Sequence, residues 1–201
     1  WYNTYSKYRQ TDIEERYMTQ GKLFVISGPS GAGKGTICRK LLESDENIKL
    51  SVSMTTRRPR EGERDSVDYF FVDREEFEGL LRDGGLLEYN RYCDNYYGTP
   101  RAQIVKWMQE GFHVILEIDY HGAFQVRDSY PDSVLIFIMP PSIEELEARI
   151  TGRGTEIEEI KQRRLQEAMN EISQAPKYDH TVVNDNLDAA VERVRQIMKE
   201  E

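Results

Sequence analysis

Residues 28–36, GPSGAGKGT, constrain what this chain can fold into more than any other segment. They directly follow the apolar run KLFVIS at residues 22–27, which is typical of a buried parallel strand, and they lead into a predicted helix at residues 33–42. Glycines in such a loop let backbone N–H groups converge on phosphate oxygens, and the helix N-terminus adds partial positive charge. Because strand, loop, lysine and helix occur in the required order, the segment predicts a nucleotide phosphate site rather than an ordinary turn. Lys34 is then expected at the β- and γ-phosphates.

One position of the loop departs from the usual pattern. The residue after the lysine, normally serine or threonine, is Gly35, and Thr36 follows it. We therefore expect the Thr36 hydroxyl to contact Mg²⁺, either directly or through water.

Composition limits the function classes. The formal net charge of −9 argues against broad nucleic-acid binding, which needs an electropositive surface. No apolar run approaches the roughly 20 residues that cross a bilayer. The two cysteines, Cys38 and Cys93, have no metal-ligand spacing and fit a reducing compartment, so we predict a cytoplasmic protein without membrane partners. Arginines cluster at residues 57–64 and 149–164, an arrangement that can bind small anions.

Strands alternate with helices along most of the chain. This order predicts an α/β fold in which helices cover both faces of a parallel sheet. Core strands are expected at residues 22–27, 49–54, 112–119, 133–139 and 180–184. Three capping boxes predict helix starts, at Asp73 with Glu76, Ser142 with Glu145, and Thr155 with Glu158. The last helix carries one apolar stripe, formed by Leu187, Val191, Val194 and Ile197.

The same pattern divides the chain into parts. Residues 1–20 are polar and rich in tyrosine, and we interpret them as an N-terminal extension. The remainder, 21–201, is predicted to be one domain with an inserted α+β lobe and a helical lid. Its core comprises residues 21–52, 101–141 and 165–201, its lobe residues 53–100, and its lid residues 142–164.

Five further segments narrow the function. They are SVSMTTRRPREGERDSVDYFFV (51–72), LLEYNRYCDNYYGTP (86–100), EIDYHGAFQV (117–126), FIMPPSIEELEARITGRGTE (137–156) and VVNDNLD (182–188). In this order and spacing, together with the phosphate loop, the chain resembles the guanylate kinase family over about residues 21–198. The resemblance implies a P-loop nucleoside monophosphate kinase, which moves the terminal phosphoryl group of ATP to GMP or dGMP with Mg²⁺.

The resemblance also implies site residues. The groups that stabilise the transferred charge would be Lys34, Arg57, Arg60, Arg153 and Arg164. ATP would contact Gly28, Pro29, Ser30, Gly31, Ala32, Gly33, Lys34, Gly35, Thr36, Asn184 and Asp185. GMP would contact Ser53, Arg57, Arg60, Tyr69, Glu88, Tyr97, Thr99 and Asp119. The carboxylates suit guanine, whose N1–H and 2-amino groups are donors.

Several alternatives accompany these assignments. A turn with a helix cap explains Asn184 and Asp185 nearly as well as contact with adenine. Surface salt bridges are the preferred interpretation of four other arginines, Arg58, Arg64, Arg149 and Arg163. His121 stands where the family commonly has glutamine. A guanylate-kinase-like interaction module without catalysis, or a P-loop kinase with another acceptor, are the competing functions.

Overall fold

The computed structural model of the protein describes residues 20–151 and 158–201. Three predictions therefore lie outside the described residues: the N-terminal extension up to residue 19, the capping box that begins at Thr155, and the lid arginine Arg153.

Helices and strands alternate through the chain. The strands are β1 (Leu23–Ser27), β2 (Ile48–Leu50), β3 (Met54–Thr55), β4 (Phe70–Phe71), β5 (Leu86–Tyr92), β6 (Asn95–Pro100), β7 (His113–Glu117), β8 (Val134–Met139) and β9 (His180–Val183). The helices are α1 (Lys34–Ser44), α2 (Arg74–Arg82), α3 (Arg101–Gln109), α4 (Tyr120–Ser129), α5 (Ile143–Thr151), α6 (Glu158–Ile172) and α7 (Leu187–Glu200), with a 3₁₀ turn at Ala175–Lys177.

A five-stranded sheet in the order β2-β7-β1-β8-β9 forms the core, and every neighbouring pair in it is parallel. Consecutive residues of β1 point to opposite faces, as the period of a strand requires. Phe24 and Ile26 pack with α1 and α7, whereas Leu23 and Val25 pack with α3 and α4. Both faces are thus covered by helices, which confirms the predicted α/β class.

The predicted strand at residues 49–54 is wrong as a single element. Lys49 and Leu50 belong to β2 and pair with β7, but Met54 pairs with Gly98 in a separate sheet. The chain leaves the core between these two points, so this segment is where the inserted lobe begins.

The lobe has its own sheet and core. Its four strands follow the order β4-β3-β6-β5, and Met54, Phe77 and Leu86 are buried between this sheet and α2. The Asp73 side chain accepts a hydrogen bond of 2.8 Å from the Glu76 backbone N–H, so the predicted cap of α2 is confirmed.

The remaining predicted helix features agree with the structure. Ser142 caps α5 by accepting from the Glu145 N–H at 3.2 Å, and the apolar stripe of α7 buries Val191, Val194 and Ile197. None of the helices described, in residues 20–151 and 158–201, combines the length and apolar character that a membrane crossing requires.

Candidate active site

The phosphate loop connects the carboxyl end of β1 to α1, beside the point where the strand order reverses. Such a switch point is where open parallel sheets bind ligands. Gly33 precedes α1 in the left-handed region, with φ of 92°, and the Asn184 side chain lies where a Cβ of residue 33 would be. The Asn184 amide also donates to the Ala32 carbonyl at 2.7 Å from a buried position. A residue predicted to contact ATP thus braces the loop itself.

Lys34 is folded back onto this loop. Its Nζ donates to the Gly28 carbonyl at 2.6 Å and to the Pro29 carbonyl at 3.1 Å. Burial lowers the pKa of Lys34, and the nearby carboxylates of Glu171 and Glu117 oppose that change. The amine of Lys34 is therefore hydrogen-bonded to two loop carbonyls, and an incoming phosphate oxygen can replace them.

Two acidic residues near Lys34 were missed by the sequence reasoning. Glu117 ends β7, and its Oε2 would lie 3.4 Å from a Cβ placed on Gly35, so this carboxylate lies beside the first turn of α1. Glu171 lies on α6, and burial raises its pKa to about 7. Glu117 lies two residues before Asp119 at the same strand end, and this position could have predicted its place in the site. The sequence contains no such signal for Glu171.

Helix α6, which begins within the predicted lid, reaches the phosphate loop. Arg164 Nη2 donates to the Ser30 hydroxyl at 3.3 Å, which places one predicted lid arginine at the mouth of the loop. Arg149 and Arg163 instead pair within their own helices with Glu145 and Glu167, as expected for surface salt bridges.

The lobe presents the other predicted cationic groups. Arg57 forms an ion pair with Glu63 and lies over the ring of Tyr69, 5.6 Å from its centroid. Tyr69 and Tyr97 approach edge to face at 6.1 Å. Arg60 is exposed beside them. Four residues predicted to hold the GMP phosphate therefore lie together.

A buried carboxyl group lies on strand β5 of the lobe. Glu88 is only 7% exposed, and its Oε1 accepts a hydrogen bond of 2.6 Å from the Thr99 hydroxyl. Burial raises the pKa of Glu88 to about 7; the Thr99 hydrogen bond opposes this and the charge of Asp119 adds to it. Gly122 makes room, because a Cβ there would lie 2.9 Å from the Glu88 Oε2.

Asp119 lies near both Lys34 and Glu88. Its Oδ1 caps α4 by accepting from the Gly122 N–H at 2.8 Å, and its charge acts on both Glu88 and Lys34. Asp119 and Lys34 are thus parts of one site at the carboxyl edge of the sheet.

Gln125, also missed, ties α4 to the strand that carries Glu88. Its side-chain amide accepts from the Tyr89 N–H at 3.1 Å and donates to the Tyr89 carbonyl at 2.9 Å. One isolated sequence offers no signal for such a clamp.

Three other predicted site residues flank elements of the fold. Ser53 is half-buried next to β3, Thr36 is exposed on the first turn of α1, and Asp185 is exposed just after β9.

Known proteins resemble the chain over almost its full length. The model of the guanylate kinase family matches residues 20–201. The chain belongs to the guanylate kinase family. A guanylate kinase of Oceanobacillus iheyensis is 50% identical over 182 residues, covering 90% of this chain and 88% of its own. Another, from Caldanaerobacter subterraneus subsp. tengcongensis, is 50% identical over 179 residues, with coverage of 89% and 87%.

A solved structure agrees with this family membership. The crystal structure of guanylate kinase from Anaplasma phagocytophilum superposes with a TM-score of 0.72 at 37% identity, covering 90% of this chain and 86% of that one. The guanylate kinase family is one of nucleoside monophosphate kinases, and the chain is therefore an enzyme of that type.

Proposed function

We propose that this chain transfers the γ-phosphoryl group of ATP to GMP or dGMP with Mg²⁺. The observation that carries the proposal is the position of Asp119, whose charge acts both on the loop lysine Lys34 and on the buried Glu88. A phosphate-binding loop and a pocket with acceptor groups therefore share one sheet edge, as phosphoryl transfer between two nucleotides requires.

The ATP side consists of the phosphate loop, Lys34 and the lid. The loop residues 28–33 supply backbone N–H donors at the N-terminus of α1. Lys34 exchanges its two loop carbonyls for the β- and γ-phosphates, and Arg164, which contacts Ser30, adds positive charge there. The family resemblance assigns the same role to Arg153. Asn184 supports ATP binding by fixing the loop, with Asp185 next to it.

The GMP side distinguishes guanine by its donors. Ionised Glu88 and Asp119 accept from N1–H and the 2-amino group, and the hydroxyls of Ser53 and Thr99 complete the polar contacts. Adenine would leave these carboxylates unpaired, and sites of this kind discriminate by as much as ~10⁴-fold.

The chemistry needs no catalytic base. The second pKa of a phosphomonoester is about 6, so the GMP phosphate is already a dianionic nucleophile at neutral pH. The barrier is repulsion between two anions and the charge on the transferred group. Arg57, Arg60, Tyr69 and Tyr97 hold one anion, and Lys34 holds the other.

Oxygen donors beside the loop fit Mg²⁺. The Thr36 hydroxyl and the Glu117 carboxylate both lie at the start of α1, and hard oxygen ligands and water suit this ion. When bound with ATP, Mg²⁺ neutralises phosphate charge.

A coupled assay of ADP release with ATP, Mg²⁺ and several acceptors tests the proposal. Turnover is expected with GMP and dGMP, and little with AMP or CMP. Glu88→Gln should lose GMP turnover at low substrate, whereas Glu61→Gln, an exposed residue outside the site, removes the same charge as a control. Equal turnover of AMP would refute the guanine assignment, and no turnover of any acceptor would refute the kinase.

A further inference from the structure

Glu63 is out of place in a site for an anion. Its carboxylate lies among Arg57, Arg60 and two tyrosines that are proposed to hold the GMP phosphate. A negative charge there repels phosphate, so affinity alone does not explain the residue. Its contacts give a different explanation.

Glu63 holds both arginine segments. Arg57 donates to it through two groups, Nη1 to Oε2 at 3.0 Å and Nη2 to Oε1 at 2.9 Å. The Arg60 backbone N–H donates to the same Oε2 at 2.7 Å. The two side chains of the ion pair are only 14% and 20% exposed, so this is a shielded, bidentate contact rather than a loose surface pair.

The pairing fixes the orientation of the Arg57 guanidinium. A guanidinium has five N–H donors in a planar fork. Nη1 also donates to the Arg58 carbonyl at 2.7 Å, so both of its donors are used. Within the described part of the chain, the buried Arg57 Nε has no hydrogen-bond partner. The guanidinium cannot turn without breaking its contacts with Glu63 and with the Arg58 carbonyl, so its orientation is set before an anion binds.

Neighbouring groups support this orientation. Hydrogen bonding by Glu63, and by the Tyr97 hydroxyl, raises the pKa of Arg57 above its usual value. Tyr97 is itself proposed to contact the GMP phosphate, so it lies where that anion would bind.

We propose that Glu63 is a positioning residue, which orients the Arg57 guanidinium for binding the phosphate of GMP. This inference rests on the proposed function, because it assumes that the anion bound there is the phosphate of the acceptor nucleotide. Glu63 need not touch the substrate. It lowers the electrostatic attraction for phosphate and compensates by fixing the geometry of Arg57 and of the Arg60 backbone.

The test is Glu63→Gln, which keeps the size of the side chain and removes one acceptor from the bidentate pair. We expect kcat/KM for GMP to fall on the order of tenfold, the weight of a misdirected charge-assisted hydrogen bond, with KM for ATP unchanged. Glu61→Gln is the matched control. Glu61 is exposed, and its substitution removes the same charge from the same loop.

A second pair of variants separates positioning from folding. In an Arg57→Ala background, Glu63→Gln should raise kcat/KM for GMP or leave it unchanged, because only the repulsive charge is then removed. An equal fall in both backgrounds would indicate a general structural role and overturn the inference. No fall in the presence of Arg57 would overturn it as well.

Titration calorimetry measures the binding constant for GMP without turnover, so this test of Glu63 does not depend on the proposed kinase activity. A wild-type chain that binds GMP without phosphorylating it would refute the kinase assignment, yet the effect of Glu63→Gln on the binding constant would still be measured. Wild-type turnover with an unchanged Glu63→Gln binding constant would refute the positioning role alone.

Discussion

Glu88 makes guanine recognition sensitive to pH. Burial raises its pKa to about 7, so a small fall in pH protonates a group that must accept from guanine. Only the ionised carboxylate can accept from both N1–H and the 2-amino group. We therefore expect affinity for the base to fall as pH falls through 7.

The magnitude follows from the pKa. With a value near 7, roughly 91% of Glu88 is ionised at pH 8 and roughly 9% at pH 6, so the Kd for the base should rise about tenfold as the pH falls over this interval. Folding stability changes with pH in the direction opposite to affinity. A carboxyl whose folded pKa is raised destabilises the fold when ionised, so the empty protein gains stability as pH falls through 7 toward the unfolded value of 4.5.

Guanosine is the ligand that isolates this effect. GMP also titrates on its phosphate near pH 6, which would confuse the result. The Kd of guanosine, measured by displacement of a fluorescent GMP analogue between pH 6 and 8, should show the roughly tenfold change in wild type and none in Glu88→Gln. Glu171 also has a raised pKa of about 7, so Glu171→Gln is the control that should keep the change. A flat wild-type profile, or a slope that persists in Glu88→Gln, would refute the reasoning.

Three substitutions test other parts of the site. Lys34→Ala should lower kcat by ~10²–10³-fold with a small effect on KM for GMP, because the amine meets charge on the transferred group; a loss confined to GMP affinity would contradict this role. Asn184→Ala should raise KM for ATP about tenfold and leave KM for GMP unchanged, since it frees the Ala32 carbonyl; equal increases in both constants would count against it. Gly122→Ala should raise KM for GMP alone, because its Cβ would lie 2.9 Å from the Glu88 Oε2, and wild-type GMP kinetics would disprove that crowding.

The sequence predicted the core better than the lobe. The apolar run before Gly28 and the loop that follows it occur as expected, because a buried parallel strand and a glycine turn have strong local signals. Residues 49–54 were misassigned for a physical reason. Lys49 and Met54 both fit an extended pattern, but which sheet an extended residue joins depends on partners far along the chain, here His113–Glu117 for one and Gly98 for the other.

The sequence likewise predicted some residues of the site and missed others. Residue type and motif led to Lys34 and Glu88, because phosphate and guanine each require particular chemistry. The same reasoning missed Glu63 and Gln125, whose contacts are with backbone groups and with another protein side chain. Such supporting residues carry no chemical signature of a ligand, and only the folded geometry identifies them.

Three charged groups of the site already have protein partners when no ligand is bound. Loop carbonyls hold Lys34, the Thr99 hydroxyl holds Glu88, and Glu63 holds Arg57. Binding a nucleotide therefore exchanges one set of hydrogen bonds for another, and affinity is the difference between the two sets. A partner that the ligand displaces limits affinity, whereas a partner that stays bound and orients the charged group increases it. Glu63 belongs to the second kind because its pair with Arg57 fixes the guanidinium and the Arg60 backbone, and the pair stays intact when the anion binds. The loop carbonyls belong to the first, since the amine of Lys34 must leave them to reach phosphate.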